Sequence, residues 1–237
     1  MAREDSFQQV RYAGSVAASE RITGFLRGVY GWMATGLAIT AIVAYFVASS
    51  PVLIETIFTN QLLFWGVVIA QFGIVFYLSA RVQRLAPATA SLLFMVYAAL
   101  TGLTLSIILV AYTGESVAMT FLVTAGMFGA MAAYGTMTKR DLSGWGQFLF
   151  MGLIGVFIAM IVGIFWQSSA LQFMISFIGV IVFTGLAAYD ANRLRSMALS
   201  LPDGQVGAYT VVGALSMYLN FINLFLMLLR FFGGRRD

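Results

Sequence analysis

Apolar residues occupy this chain in long blocks separated by short polar gaps, with neither the two-residue alternation of a half-buried strand nor the broad polar face of a soluble helix. About 20 predominantly apolar residues carry a helix across a hydrocarbon layer of about 30 Å. Blocks of roughly that length extend over Gly28–Ser49, Leu62–Ala80, Pro87–Tyr112, Ser116–Met137, Trp145–Trp166, Ala170–Tyr189 and Val206–Phe232. Spanning strands would be shorter and alternating, and lipid tolerates no open sheet, so all seven blocks are predicted to be helices. The expected fold class is an all-α polytopic membrane protein, a seven-transmembrane-helix bundle. Residues 1–27 are polar and mixed in charge, with no apolar core leading to a small-residue cleavage site, and are read as a cytoplasmic tail rather than a signal peptide. Residues 28–234 then form the transmembrane domain and 235–237 a carboxyl-terminal tail.

Composition narrows the chemistry. Of 237 residues 61% are hydrophobic and 9% charged, against roughly 25% charged in a soluble domain. The formal charge of +4 does not mark a nucleic-acid partner, because the arginines lie between apolar blocks and form no basic stripe interleaved with aromatics. The chain has no cysteine and no histidine. That excludes iron–sulfur clusters, thiolate or imidazole zinc sites, Ser-His-Asp hydrolysis and HExxH proteolysis, and no cofactor is expected. Intramembrane catalysis by paired aspartates needs a second buried aspartate, and the spans hold one, so the chain is not expected to be an enzyme. The DxS-like "TKRDLSGWG" (138–146) is read as a cytoplasmic loop.

The gaps carry the topology. Arg3, Arg11, Arg21 and Arg27 lie in the tail, Arg81 and Arg84 in the second gap, Lys139 and Arg140 in the fourth, Arg193 and Arg195 in the sixth. The alternate gaps carry only Glu55 and Glu115. This asymmetry predicts a cytoplasmic amino terminus. One conflict stands: seven crossings put the carboxyl end outside, yet "RFFGGRRD" brings Arg230, Arg235 and Arg236 there, so the last block either spans against the charge rule or re-enters. Pro51, Pro87 and Pro202 fall in gaps or at helix starts and break no span. Small residues four apart, as in Gly155, Ala159 and Gly163 or Ala125, Gly129 and Ala133, predict close helix packing. No strong internal repeat supports an inverted-repeat transporter.

Few polar side chains interrupt the spans: Gln71 in the second, Asp190 closing the sixth, and Ser216, Asn220 and Asn223 in the seventh. An intramembrane carboxylate is costly and marks a functional site by default, although Asp190 could equally pair with Arg193 at i+3 as an interfacial ion pair. Ser216, Asn220 and Asn223 share one helix face, with Asn220 roughly 20 Å along the axis from Val206, near mid-membrane. Ser216, Asn223 and Gln71 are read first as interhelical hydrogen-bond glue.

"VYGWMATGLAIT" (29–40), "ALTGLTLS" (99–106), "MTKRDLSGWG" (137–146), "GLAAYD" (185–190) and above all "YLNFINLFLMLLRFFG" (218–233) together resemble the transmembrane Bax inhibitor motif family, in its bacterial branch. The resemblance covers Tyr30 to Gly234. It implies a bundle whose last helix runs through the middle of the other six, in a bacterial cytoplasmic membrane. It also implies a slow, pH-sensitive calcium leak sensed by one aspartate in the sixth helix and one in the seventh, assisted by an acidic residue in the second. Asp190 matches the first aspartate, Asn220 stands where the second belongs, and Gln71 corresponds to the acidic residue. Leak architecture therefore carries over better than pH gating.

The candidate ion pathway is Asp190, Asn220, Asn223, Ser216 and Gln71, with Arg193 and Arg81 as gate ion-pair partners. Calcium takes about 6–8 oxygen ligands, so Asp190 beside two amide carbonyls is expected to meet it only weakly and transiently. The function expected is a passive cation leak, with calcium the expected ion and pH gating weakened or absent. The alternative is a membrane-embedded interaction protein that modulates a membrane protease or another membrane complex.

Overall fold

The structure, a computed structural model, describes residues 2–166, 168–234 and 236, with side chains described from Val16 onward except that of residue 203. The tail arginines Arg3 and Arg11 and the terminal Arg235 lie outside the described side chains. Eight α-helices follow in order: α1 Ala2–Ala48, α2 Pro51–Thr59, α3 Gln61–Arg81, α4 Pro87–Ala111, α5 Gly114–Met137, α6 Ser143–Phe165, α7 Ser169–Ser200 and α8 Val206–Phe232. All but α2 are long and apolar enough to cross a membrane. Among the described residues there is no strand, as a chain whose backbone groups must bond within each span requires.

Local chemistry sets the helix ends. Ser50 accepts from Leu53 N at 3.5 Å with Pro51 at the first helical position, so the first gap forms the short α2, an element not predicted from the sequence. Asn60 ends α2 and caps α3, accepting from Leu63 N at 3.1 Å. Thr113 and Ser168 cap α5 and α7 in the same way. In the turn before α6, Asp141 accepts from the Ser143 hydroxyl and from Ser143 N at 2.9 Å, and these bonds hold its carboxyl below the ordinary range. That accounts for the DxS-like spacing as turn chemistry.

Two predicted boundaries shift. Helix α1 continues without interruption across Arg27 and Gly28, with Phe25 and Leu26 already buried. Helix α7 continues past Asp190 to Ser200, because Ala191, Leu194 and Ala198 keep an apolar face packed against the bundle. Asp190 is therefore interior to a 32-residue helix rather than at its end.

The arginines read as topology signals also cap helices. Arg21 Nε donates to Ala198 O at 2.9 Å and its guanidinium also reaches Leu201 O, at the carboxyl end of α7. Arg195 donates to Thr138 O at 2.9 Å and Asn192 to Gly135 O at 3.1 Å, at the carboxyl end of α5. Orphan carbonyls and the negative end of the helix dipole are thus met by cations from neighbouring helices.

The most deeply buried span is α8, which packs mainly against α1, α4, α5 and α7. Tyr218, Leu215, Met217 and Leu224 are among its fully enclosed side chains, and the rings of Phe94 and Tyr97 stand edge-on to Tyr218 at 5.7 and 5.9 Å. Helices α3 and α6 join chiefly through α4 and α7. The helix is continuous, and its end is tied to the α4–α5 junction: Gly234 O accepts from Thr113 N at 3.1 Å, and Arg236 N donates to Ala111 O at 3.0 Å. The last block is one uninterrupted helix, long and apolar enough to cross, and does not turn back on itself.

The predicted small-residue stripes do not form the close contacts. Gly129 and Gly155 have open space where a Cβ would stand, and face outward. The tight crossings lie elsewhere: a Cβ on Gly135 would overlap the backbone carbonyl of Ala188, and one on Gly102 would come within 2.7 Å of Thr40 O. Sequence spacing shows a small-residue face but not which way the helix is turned.

Two outcomes are expected. A reporter fused after Asp237 that is active only outside the cytoplasm should give signal, and one active only inside should not; the reverse pattern would place the carboxyl end in the cytoplasm. Gly135→Ala should lower unfolding stability in detergent by about 1–3 kcal/mol despite the better helix propensity of alanine. Gly129→Ala should not destabilise the fold by more than about 0.5 kcal/mol.

Candidate functional site

Asp190 is 5% exposed and faces α8. Its Oδ2 accepts from Asn220 Nδ2 at 2.9 Å and from the Ser216 hydroxyl. Because 216 and 220 are one helical turn apart, one carboxylate oxygen receives both donors and pins α7 to α8 at mid-span. Donors aimed at a buried carboxylate favour keeping it charged, and the desolvation cost of that charge is offset only while they stay in place. Arg193, one turn further along α7, is exposed and acts as a nearby positive charge rather than as a hydrogen-bond partner.

The carboxylate borders open volume. A cavity of about 390 Å³ lies between α6, α7 and α8, lined by Gln147, Tyr189, Asp190, Arg193, Ser216 and Asn220 among others. Gly146 makes room for the Tyr189 ring, which occupies the place its Cβ would take. A second cavity of about 440 Å³ lies toward α3, bordered by Ser79, Val82 and Tyr209. Arg193 and Ser216 belong to the walls of both cavities. They form the partition, and Asp190 sits behind it on the α6 side.

The other predicted site residues lie elsewhere. Asn223 donates to Leu219 O of its own helix at 2.8 Å, so it shares the face of Ser216 and Asn220 without reaching Asp190. Gln71 donates to Thr101 Oγ1 at 3.1 Å and joins α3 to α4. Arg81 is exposed at the end of α3 and borders neither cavity. Among the described residues no cluster of three or more carboxylates could hold a metal ion, so any cation here meets one carboxylate and neutral oxygens.

A second buried polar joint was not anticipated. Thr40 Oγ1 donates to Ala98 O at 2.8 Å and lies 2.6 Å from the Tyr218 hydroxyl, which must then be the donor to Thr40. It ties α1, α4 and α8 together on the side of α8 away from Asp190. The available signal was a tyrosine at mid-span, whose hydroxyl needs a partner when buried; it was passed over because the residue counts as apolar.

The chain matches the family described as "Inhibitor of apoptosis-promoting Bax1" over residues 22–237. It is 51% identical to the inner membrane protein YbhL of Escherichia coli (strain K12) over 215 residues, covering 90% of this chain and 92% of that one. An uncharacterized protein of Deinococcus radiodurans is 45% identical over 219 residues, 92% of this chain and 93% of its own. One from Borreliella burgdorferi is 44% identical over 215 residues, 90% and 93% of the two chains.

If the Asp190 joint is a unit, Asp190→Asn and Ser216→Ala should be coupled in a double-mutant cycle by about 0.5–3 kcal/mol of unfolding free energy. Asp190→Asn and Asn223→Ala should add within about 0.5 kcal/mol. Coupling to Asn223 instead would relocate the joint.

Proposed function

This chain belongs to the Bax inhibitor family, and we propose that it is a passive cation leak of the bacterial inner membrane, with calcium as the ion and with pH gating weakened or absent. The observation that carries the reading is a buried carboxyl group bordering a cavity whose partition is made by its own hydrogen-bond donor and an arginine. With Asp190 held by Ser216 and Asn220, its oxygens are engaged and the Arg193 cation guards the partition, so flux is low. Loosening of α7 from α8 frees carboxylate and amide oxygens to replace part of the hydration shell of a passing cation. A single carboxylate offers too few ligands to retain it, which suits passage rather than storage.

The departure at Asn220 bears on pH. Two carboxylates sharing a buried site cannot both ionise cheaply and titrate as a coupled pair, whose proton can switch the packing of two helices. An aspartate beside an amide lacks that coupling. Besides Asp190, the described side chains bordering this cavity that ionise are Arg193 and Tyr189.

A second reading is favoured by one observation. The outward-facing stripe of Ala125, Gly129 and Ala133 borders an apolar groove of about 570 Å³ between α5 and α1, a surface that lets another helix approach closely. On this reading the chain modulates a membrane protease or another membrane complex. Removing residues 1–20 would then abolish partner capture while leaving ion flux intact.

Calcium flux into proteoliposomes tests the first reading. The wild type should exceed protein-free liposomes, and Asp190→Asn should change the flux severalfold while the protein stays folded. Equal flux with and without protein would remove the leak, and an unchanged Asp190→Asn would remove the site. Wild-type flux should be nearly flat between mildly acidic and neutral pH, and Asn220→Asp should introduce a pH-dependent step in that range. A steep wild-type response would show that pH sensing here does not need the carboxylate pair.

A further inference from the structure

The arginines at the outer end of α8 oppose the charge rule, and the leak does not use them. Arg230 lies in the last turn of α8 and borders a cavity of about 470 Å³ between α6, α7 and α8, within the roughly 300–1,000 Å³ of small-ligand sites. Among the described residues it makes no hydrogen bond or ion pair. Four further polar side chains border the same cavity: Tyr112 from the end of α4, and Ser169, Gln172 and Ser176 from the amino-terminal part of α7. The amino end of α7 adds a partial positive charge to that side.

The remainder of the cavity is apolar. Gly163 leaves a slot on α6 between Met160 and Ile164, across which Ile175 of α7 is the neighbour at 3.6 Å from the missing Cβ. Phe173 and Phe231 close one side with ring centroids 4.9 Å apart. Trp166 and Phe232, 71% and 67% exposed, stand at the same end, where aromatic residues mark the boundary between headgroups and hydrocarbon. An unpaired guanidinium therefore sits at headgroup level above an apolar slot.

We infer that this cavity binds the phosphate headgroup of an anionic phospholipid, with Arg230 as the charged contact and an acyl chain in the slot at Gly163. Arginine offers a planar fork of donors that fits phosphate oxygens in pairs, and Gln172, Ser169 and Tyr112 supply neutral donors around it. A cation at this end hinders correct insertion, and a bound headgroup compensates for it. The simpler account is that Arg230 only complements the carboxyl end of the α8 dipole; that role needs no ligand and does not distinguish one lipid from another.

The test is lipid retention by the full chain in phosphatidylcholine nanodiscs carrying a fraction of phosphatidylglycerol, read by native mass spectrometry. The wild type should retain phosphatidylglycerol over phosphatidylcholine by at least about fivefold, the preference that one basic residue supplies near an anionic surface. Arg230→Gln should lose that preference, Arg230→Lys should keep part of it, and Arg84→Gln at the opposite end should leave it unchanged. Millimolar inorganic phosphate should not displace the lipid. No preference in the wild type, equal loss in Arg84→Gln, or retention in Arg230→Gln would overturn the site. Displacement by phosphate alone would show an anion site that does not read the lipid. None of these outcomes depends on ion flux, so the inference stands or falls apart from the leak.

Discussion

Hydrocarbon offers no hydrogen bonds, so every polar group that enters the bilayer must find its partner inside the protein. The helices satisfy their own backbones in this way, and the interest lies in what remains: helix ends, a few side-chain amides and hydroxyls, and one carboxylate. Some are met within their own helix, as Asn223 is, and the joints between helices are made by the rest. The carboxylate is the most demanding, because a buried charge without donors is far more costly than a buried hydroxyl. Asp190 consequently decides how α7 and α8 are rotated against each other, since Ser216 and Asn220 must both point at it.

Helix α8 carries a joint on each of two faces. One binds α7 through the carboxyl group of Asp190. The other binds α1 and α4 through Tyr218, Thr40 and the Ala98 carbonyl. The second joint is enclosed by the rings of Phe94 and Tyr97, whereas the first borders two cavities. In the leak proposed above, α8 would stay fixed to α1 and α4 while its contact with α7 is the one exchanged for water or a cation. At the inner end, the clamp of Arg21 on the last carbonyls of α7 makes the extended first helix part of the frame that holds this contact. Arginines predicted to set the topology thus also join helices.

Much of this was legible in the sequence, and the limits follow from what hydropathy measures. The number and position of the spans and their helical nature follow from composition averaged along the chain, because the cost of placing polar groups in lipid depends little on which helix stands beside them. Asp190 was legible for the same reason, as a charge inside an apolar run. The placement of Pro51 and Pro87 at helix starts was legible too, whereas α2 itself and the caps at Asn60 and Ser168 were not read.

What required the tertiary structure was the pairing. Asp190 meets Ser216 26 residues away and Thr40 meets Tyr218 178 residues away, and nothing in local composition selects those partners over Asn223 or Gln71. The rotation of each helix decided it. Rotation turned the stripe of Ala125, Gly129 and Ala133 toward lipid and Gly135 toward Ala188, and it kept α7 helical past Asp190 because Ala191, Leu194 and Ala198 had a surface to pack on. Hydropathy is a sum over a segment, whereas a contact is a matter of angle and neighbour. The chain alone therefore determined that a bundle would cross the membrane with a charge inside it, and packing determined what that charge would face.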